Sequence, residues 1–255
     1  CGLGPKQMKE IVKELLKYAS IPVIVNPNAG LPRSENGKTV FDVGAEEFAQ
    51  DMEEIVTMGA WFAGGCCGTT PAHIQAMVEK CKEITPVPIT PKNYTFVTSY
   101  STAVELGGRP VIIGERINPT GKSKFKQALR DHNIDYILEE GVKQEDSGAH
   151  ILDVNVGLPE IDEAAMMETI VYELQSIMPI PLQIDTTNME AMERALRIYN
   201  GKPMINSVNG KAEIMEQVFP LVKKYGGVVV GLALDEDGIP DTTEGRLAIA
   251  EKIYQ

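Results

Sequence analysis

Two rhythms of apolar residues alternate along the chain. Stretches with apolar positions three and four apart alternate with short runs rich in Val and Ile. That alternation predicts βα units around a parallel sheet. A helix is expected over about residues 5–19, with Pro5 suited to its first turn. The strand "IPVIV" (21–25) follows and ends in "NPNAG". A second helix covers about 44–58. The strand "AWFA" (60–63) then runs into "GGCCG", and Thr70 is placed to cap a helix that starts at Pro71 and runs to Ile84.

The rhythm breaks at "TPVPITPKNYTFVTSYSTAVELGGRP" (85–110), which carries Pro86, Pro88 and Pro91 early and Gly107-Gly108 late. Connections within βα units run about 2–6 residues, so this stretch reads as an interdomain linker. Afterwards the alternation resumes. Strands are expected near 111–114, 150–154, 181–184, 203–207 and 228–233. Helices are expected near 134–148, 162–177, 188–199 and 211–224, with another after Thr242. The fold class is therefore α/β of the (β/α)8 TIM-barrel type. Eight units would suit one barrel of about 250 residues, but the linker argues for two partial barrels. The boundaries are 1–85 for the last units of one barrel, 86–110 for the linker and 111–255 for the first units of another. Cys1 reads as the loop after a strand that precedes the chain, and "AIAEKIYQ" stops inside an amphipathic pattern. The expectation is a middle piece of a longer protein.

Composition narrows the partners. The 255 residues carry a formal net charge of −12, which disfavours a nucleic-acid backbone. No apolar run approaches the ~20 residues of a membrane span, and nothing reads as a secretory signal. A cytoplasmic protein with small-molecule partners is expected.

Cysteine placement changes the picture more. In a βα barrel the chemistry sits at the carboxyl ends of the strands. Cys1, the pair Asn26 and Asn28, and Cys66 with Cys67 fall at such ends on three successive units. Three thiolates suit Zn2+ and leave a fourth position open. Two packed thiols or a vicinal disulfide are the alternatives that spacing leaves standing, although a disulfide suits a secreted chain better. Asn28, next to Ala29-Gly30, could lend an amide oxygen to a metal, whereas Asn26 before Pro27 suits the turn. Cys81 falls on an apolar helix face and reads as core. His73, His132 and His150 read as surface or core residues, with His73 directed away from the barrel mouth. "GERINPTGKS" is not a P-loop, because six residues and not four separate Gly114 from Gly121.

"CGLGP" and "GGCCGTTPAHI" together resemble the zinc motif of homocysteine methyltransferase domains, with Cys1 matching that family's first cysteine. "IGERINPTG" (113–121), "ILDVNVGLP" (151–159), "QIDTT" (183–187) and "INSVNG" (205–210) resemble the pterin-binding domain of the cobalamin-dependent methionine synthase family. The resemblance covers essentially the whole chain, in that family's domain order. It implies Cys1, Cys66 and Cys67 on Zn2+ with homocysteine in the first barrel, and 5-methyltetrahydrofolate in the second. Methyl transfer would run through a cobalamin supplied by a module outside this chain, giving methionine and tetrahydrofolate. No D-x-H-x-x-G cobalamin signature occurs in the sequence.

The residues at the second set of strand ends fit such a ligand. A pterin edge presents adjacent N–H donors beside a carbonyl. A carboxylate accepts two parallel bonds, and an amide both donates and accepts. Asp185 and Asn206 end successive strands and, by the resemblance, bind the pterin. Asn118 and Asn155 are further candidates for the same site, and Glu115 is the candidate catalytic group. Each could equally be a helix cap or turn residue. Asp153, between apolar neighbours, could be a buried structural acid. Another corrinoid-dependent methyltransferase with a different thiol acceptor, or a non-catalytic binding fragment, are the rival functions.

Overall fold

The computed structural model describes residues 2–255. The chain divides into two compact units, Cys1–Tyr94 and Thr95–Gln255.

In the first unit, helix α1 (Pro5–Tyr18) leads to strand β1 (Ile24–Val25). An antiparallel hairpin follows, β2 (Arg33–Glu35) with β3 (Lys38–Val40). Its turn is Asn36-Gly37, both at positive φ (51° and 73°), as a two-residue hairpin of matching twist requires. Helix α2 (Ala45–Met58) forms because Phe48, Ala49, Met52 and Ile55 make one apolar stripe, and Glu46 and Glu47 favour its amino end. Strand β4 (Phe62–Ala63) pairs parallel with β1, Ile24 opposite Phe62 and Val25 opposite Ala63. Helix α3 (Pro71–Cys81) begins as expected, with Thr70 as its cap and Pro71 at its first position. Val12, Val25, Phe48, Met52, Ile55 and Met77 form this unit's core, and half-buried Cys81 packs against it. Burial raises the Cys81 thiol above its ordinary pKa.

The second unit opens on a hairpin, β5 (Thr95–Thr98) with β6 (Ala103–Leu106). The 86–110 stretch is therefore not wholly irregular: 95–106 belongs to the second unit. Five parallel strands follow: β7 (Ile113–Ile117), β8 (Ile151–Val154), β9 (Leu182–Asp185), β10 (Met204–Asn209) and β11 (Val228–Leu232). They lie side by side in chain order. That order is the arc of consecutive barrel units, whereas a doubly wound sheet reverses direction midway. The expected helices are α5 (Ile134–Asp146), α6 (Glu163–Ile177), α7 (Met189–Ile198), α8 (Ala212–Tyr225) and α9 (Thr243–Tyr254). One short amphipathic helix was not anticipated, α4 (Ser123–Arg130), which buries Phe125, Ala128 and Leu129.

Alternation along the strands sorts the second unit's side chains. Leu152, Val154, Leu182, Ile184 and Ile205 join the core with α6 and α7. The residues between them, Asp153, Gln183 and Asp185, point to the opposite face. The hairpin ties to the amino ends of the strands. Tyr199 Oη donates to Thr98 O at 2.9 Å and accepts from Leu182 N at 3.0 Å, and Thr98 N donates to Lys202 O at 2.9 Å. No helix among the described residues is long and apolar enough to cross a membrane.

Candidate functional site

The polar face of the second unit is built in rows. Register places Asp153 opposite Gln183, and Asp185 opposite Asn206. Gln183 Nε2 donates to Asp153 Oδ1. Both residues are buried, and Asp153 Oδ2 and Gln183 Oε1 have no hydrogen-bond partner. An orphaned buried acceptor costs about 1–3 kcal/mol, so two together make a face short of donors. Burial raises Asp153 to about 6; the Asp185 and Glu115 charges add to this, and the Gln183 and Asn206 amides oppose it. Burial also raises Asp185. Asn155 opposes that rise, while Glu115 and Glu163 add to it.

One row nearer the strand ends, Asn155 Nδ2 donates to Asp185 Oδ2 at 2.9 Å. Asn155 Oδ1 accepts from Gly157 N at 2.9 Å, which fixes the amide's orientation. Asn155 therefore holds Asp185, and both of its polar atoms are engaged. Asn118 is a turn residue: it is buried, and its Oδ1 accepts from Thr120 N at 2.8 Å. Glu115 is exposed on β7. Lys122 Nζ lies 3.6 Å from Glu115 Oε2 and donates to Glu115 O at 2.8 Å. This lysine is the cation paired with Glu115 beside the acidic row. Asn206 does not end its strand as expected: it is the third residue of β10, just before the bulge, because pairing with β11 continues to Asn209, and its carbonyl accepts from Thr186 N at 3.2 Å.

The first unit presents the thiols. Cys66 Sγ and Cys67 Sγ stand 3.9 Å apart. That is far beyond an S–S bond of about 2.05 Å. Two thiolates on one tetrahedral Zn2+, each at about 2.3 Å, lie about 3.8 Å apart. The pair therefore has the spacing that zinc needs. Backbone bonds hold the loop against "NPNAG": Cys66 N donates to Pro27 O at 2.8 Å, and Ala29 N to Cys67 O at 2.9 Å. Asn28 is buried, and its Oδ1 accepts from Cys67 N at 3.1 Å. Gly68 is required here: its φ is +79°, and a Cβ would fall 2.4 Å from the Phe41 ring. Cys1 lies outside the described residues. Among the described residues no three Cys, His, Asp or Glu side chains come together as a metal site.

A family model described as pterin binding enzyme matches residues 114–252, more than half of the chain. The chain belongs to the pterin-binding enzyme family. Residues 1–81 match the homocysteine S-methyltransferase model. The chain is 32% identical over 267 residues to the methionine synthase of Mycobacterium leprae (strain TN). It is 31% identical over 261 residues to that of Mycobacterium tuberculosis (strain ATCC 25618 / H37Rv). Each match covers 99% of this chain and 22% of the relative, so the chain spans about a fifth of their length. Among solved structures, 7,8-dihydropteroate synthase from Vibrio fischeri ES114 aligns with a TM-score of 0.44 and 16% identity, over 62% of this chain and 59% of that one. The similarity expected from the motifs is thus found, on both halves and in the expected order.

Within this member of the pterin-binding family, sequence reading missed Gln183 and Lys122. Gln183 had a signal: "QID" puts it two residues before Asp185, on the same strand face. Lys122 had none, since its reach to Glu115 depends on the turn at Asn118.

Proposed function

We propose that this chain carries two substrate-binding modules of a cytoplasmic methyltransferase. The second unit takes 5-methyltetrahydrofolate and the first takes homocysteine. The observation that carries the reading is the donor-hungry row at the carboxyl ends of β8 to β10. There Asp185 is held by Asn155 and faces Asn206 across the strand, with two orphaned acceptors one row deeper.

A pterin edge brings the donors this face is short of. Asp185 would accept from its adjacent N–H groups, and Asn206 would serve the neighbouring carbonyl. Asn118 holds the turn that carries Lys122 toward Glu115. Glu115, paired with Lys122, is the candidate catalytic group: it would supply the reduced ring's N5 with the proton or strong hydrogen bond it needs before it can leave. In the first unit Cys66 and Cys67, with Cys1, would hold Zn2+, and Asn28 would occupy the fourth position until a thiol arrives. Zinc supplies Lewis acidity that keeps a thiol as its nucleophilic thiolate at neutral pH. A cobalamin on a module outside this chain would carry the methyl group between the two substrates.

Titration calorimetry of the full-length protein with 5-methyltetrahydrofolate tests the reading. Asp185→Asn turns an acceptor into a donor facing donors. A charged hydrogen bond is worth ~1.5–3 kcal/mol, so affinity should fall roughly ten- to a hundredfold. Unchanged affinity would refute the assignment.

A further inference from the structure

The imidazole of His73 makes three contacts that converge on the cysteine loop. Its Nδ1 accepts from Thr70 N at 3.3 Å and lies 2.9 Å from Thr70 Oγ1. Its Nε2 lies 2.9 Å from Val43 O. A carbonyl only accepts, so Nε2 carries the proton and donates. Nδ1 is then bare, as the bond from Thr70 N requires. Phe48 presents its ring edge-on at 5.5 Å and fixes the imidazole plane.

These bonds close a ring. Ala29 N donates to Cys67 O at 2.9 Å, and Val43 N donates to Ala29 O at 3.1 Å. Val43 O accepts from His73, and His73 accepts from Thr70, three residues after Cys67. The circuit runs Cys67, Ala29, Val43, His73, Thr70 and back along the chain to Cys67. Every other link is backbone, so His73 is the side chain that completes it, and only one tautomer does so.

We propose that His73 is a positioning residue for the Cys66–Cys67 thiol pair, acting through the Nε2–H tautomer that locks the cysteine loop to Val43. This rests on the zinc reading of the pair and adds to it a residue that touches neither thiol. Outer partners of a metal site typically contribute about 10–100-fold in affinity. His73 acts through backbone, so the low end, roughly tenfold, is expected.

Three variants of the full-length protein separate its two arms. His73→Phe keeps the edge contact with Phe48 and loses all three polar contacts. His73→Asn keeps an acceptor for Thr70 N but falls short of Val43. His73→Gln reaches Val43 with a donor. Zinc affinity by chelator competition should fall about tenfold in Phe and in Asn and recover largely in Gln. The alkylation rate of Cys66 and Cys67 in metal-free protein should rise in the same order. Imidazole 15N shifts of the parent should report a proton on Nε2. Unaltered zinc affinity and alkylation in folded His73→Phe, or a proton on Nδ1, would overturn the proposal. If the parent binds no zinc through the cysteines, the zinc reading fails on its own, and the alkylation rates and 15N shifts still decide the role of His73.

Discussion

Asn155 Nδ2 donates to Asp185 Oδ2 at 2.9 Å, from the end of one strand to the end of the next. The bond stabilises the ionised form of a carboxylate that burial pushes the other way. Asn155→Ala removes it and leaves Asp185 harder to ionise and freer to rotate. Folate affinity should drop about three- to tenfold, less than for Asp185→Asn, because a neutral donor to a charged group is lost and not the charge itself. A loss that exceeds that of Asp185→Asn would show Asn155 to be the principal ligand.

Asp153 titrates at about 6 in the folded protein against an ordinary 3.8. Between those values the native state holds a proton that the unfolded chain has released. The contribution of Asp153 to stability is therefore fully present below pH 3.8 and falls as pH rises through the window, by up to about 3 kcal/mol. Asp153→Asn removes this loss, since a reoriented Gln183 amide can pair with it. Denaturant midpoints of parent and variant should converge below the window and separate above it, with the variant the more stable. Parallel pH dependences would contradict this assignment of the buried proton.

Zinc should bind in about one equivalent to the full-length protein and be lost in Cys66→Ser or Cys67→Ser, since a site with only three thiolates tolerates few substitutions of sulfur by oxygen. Cys81→Ser should leave zinc untouched, because that thiol packs against the core of α2 and α3. Elemental analysis of the purified variants decides it. Full zinc retention in both loop variants would remove the thiols from the metal site.

Tyr199→Phe tests the tie between the hairpin and the sheet. Its hydroxyl serves Leu182 N and Thr98 O together. The variant strands the amide of Leu182 at the start of β9 and should cost about 1–3 kcal/mol in equilibrium unfolding. Folate affinity should hold, because the hydroxyl lies at the amino ends of the strands. Undiminished stability would mean that the hairpin is held by other contacts.

Much of the fold is legible in the sequence. The helices show because apolar stripes such as Phe48, Met52 and Ile55 are local, and Thr70-Pro71 marks a start without tertiary help. Asp185 ends β9 as its sequence pattern suggests, whereas β10 runs three residues past Asn206 because the bulge lets its pairing with β11 continue. The 95–106 hairpin was obscured by Pro86, Pro88 and Pro91 before it and Gly107-Gly108 after it. It is stabilised by bonds to residues about a hundred positions away, which no local pattern records. The β2–β3 hairpin did carry its signal in Asn36-Gly37 but lacks an apolar face to mark its strands. His73 was read as directed away from the chemistry; its role depends on Val43, thirty residues earlier. The engagement of Asn118 in a turn was one of two open readings, and only the backbone path of 118–120 distinguishes them.

The central claim is that the Asp185 carboxylate at the end of β9 and the Asn206 amide opposite it on β10 read a pterin edge. A crystal structure of the full-length protein with 5-methyltetrahydrofolate measures this directly. The account predicts adjacent pterin N–H donors within about 3.2 Å of the Asp185 carboxylate, with the Asn206 amide at the neighbouring ring atoms. A pterin bound elsewhere, with Asp185 still bonded to Asn155 and not to the ligand, would contradict it.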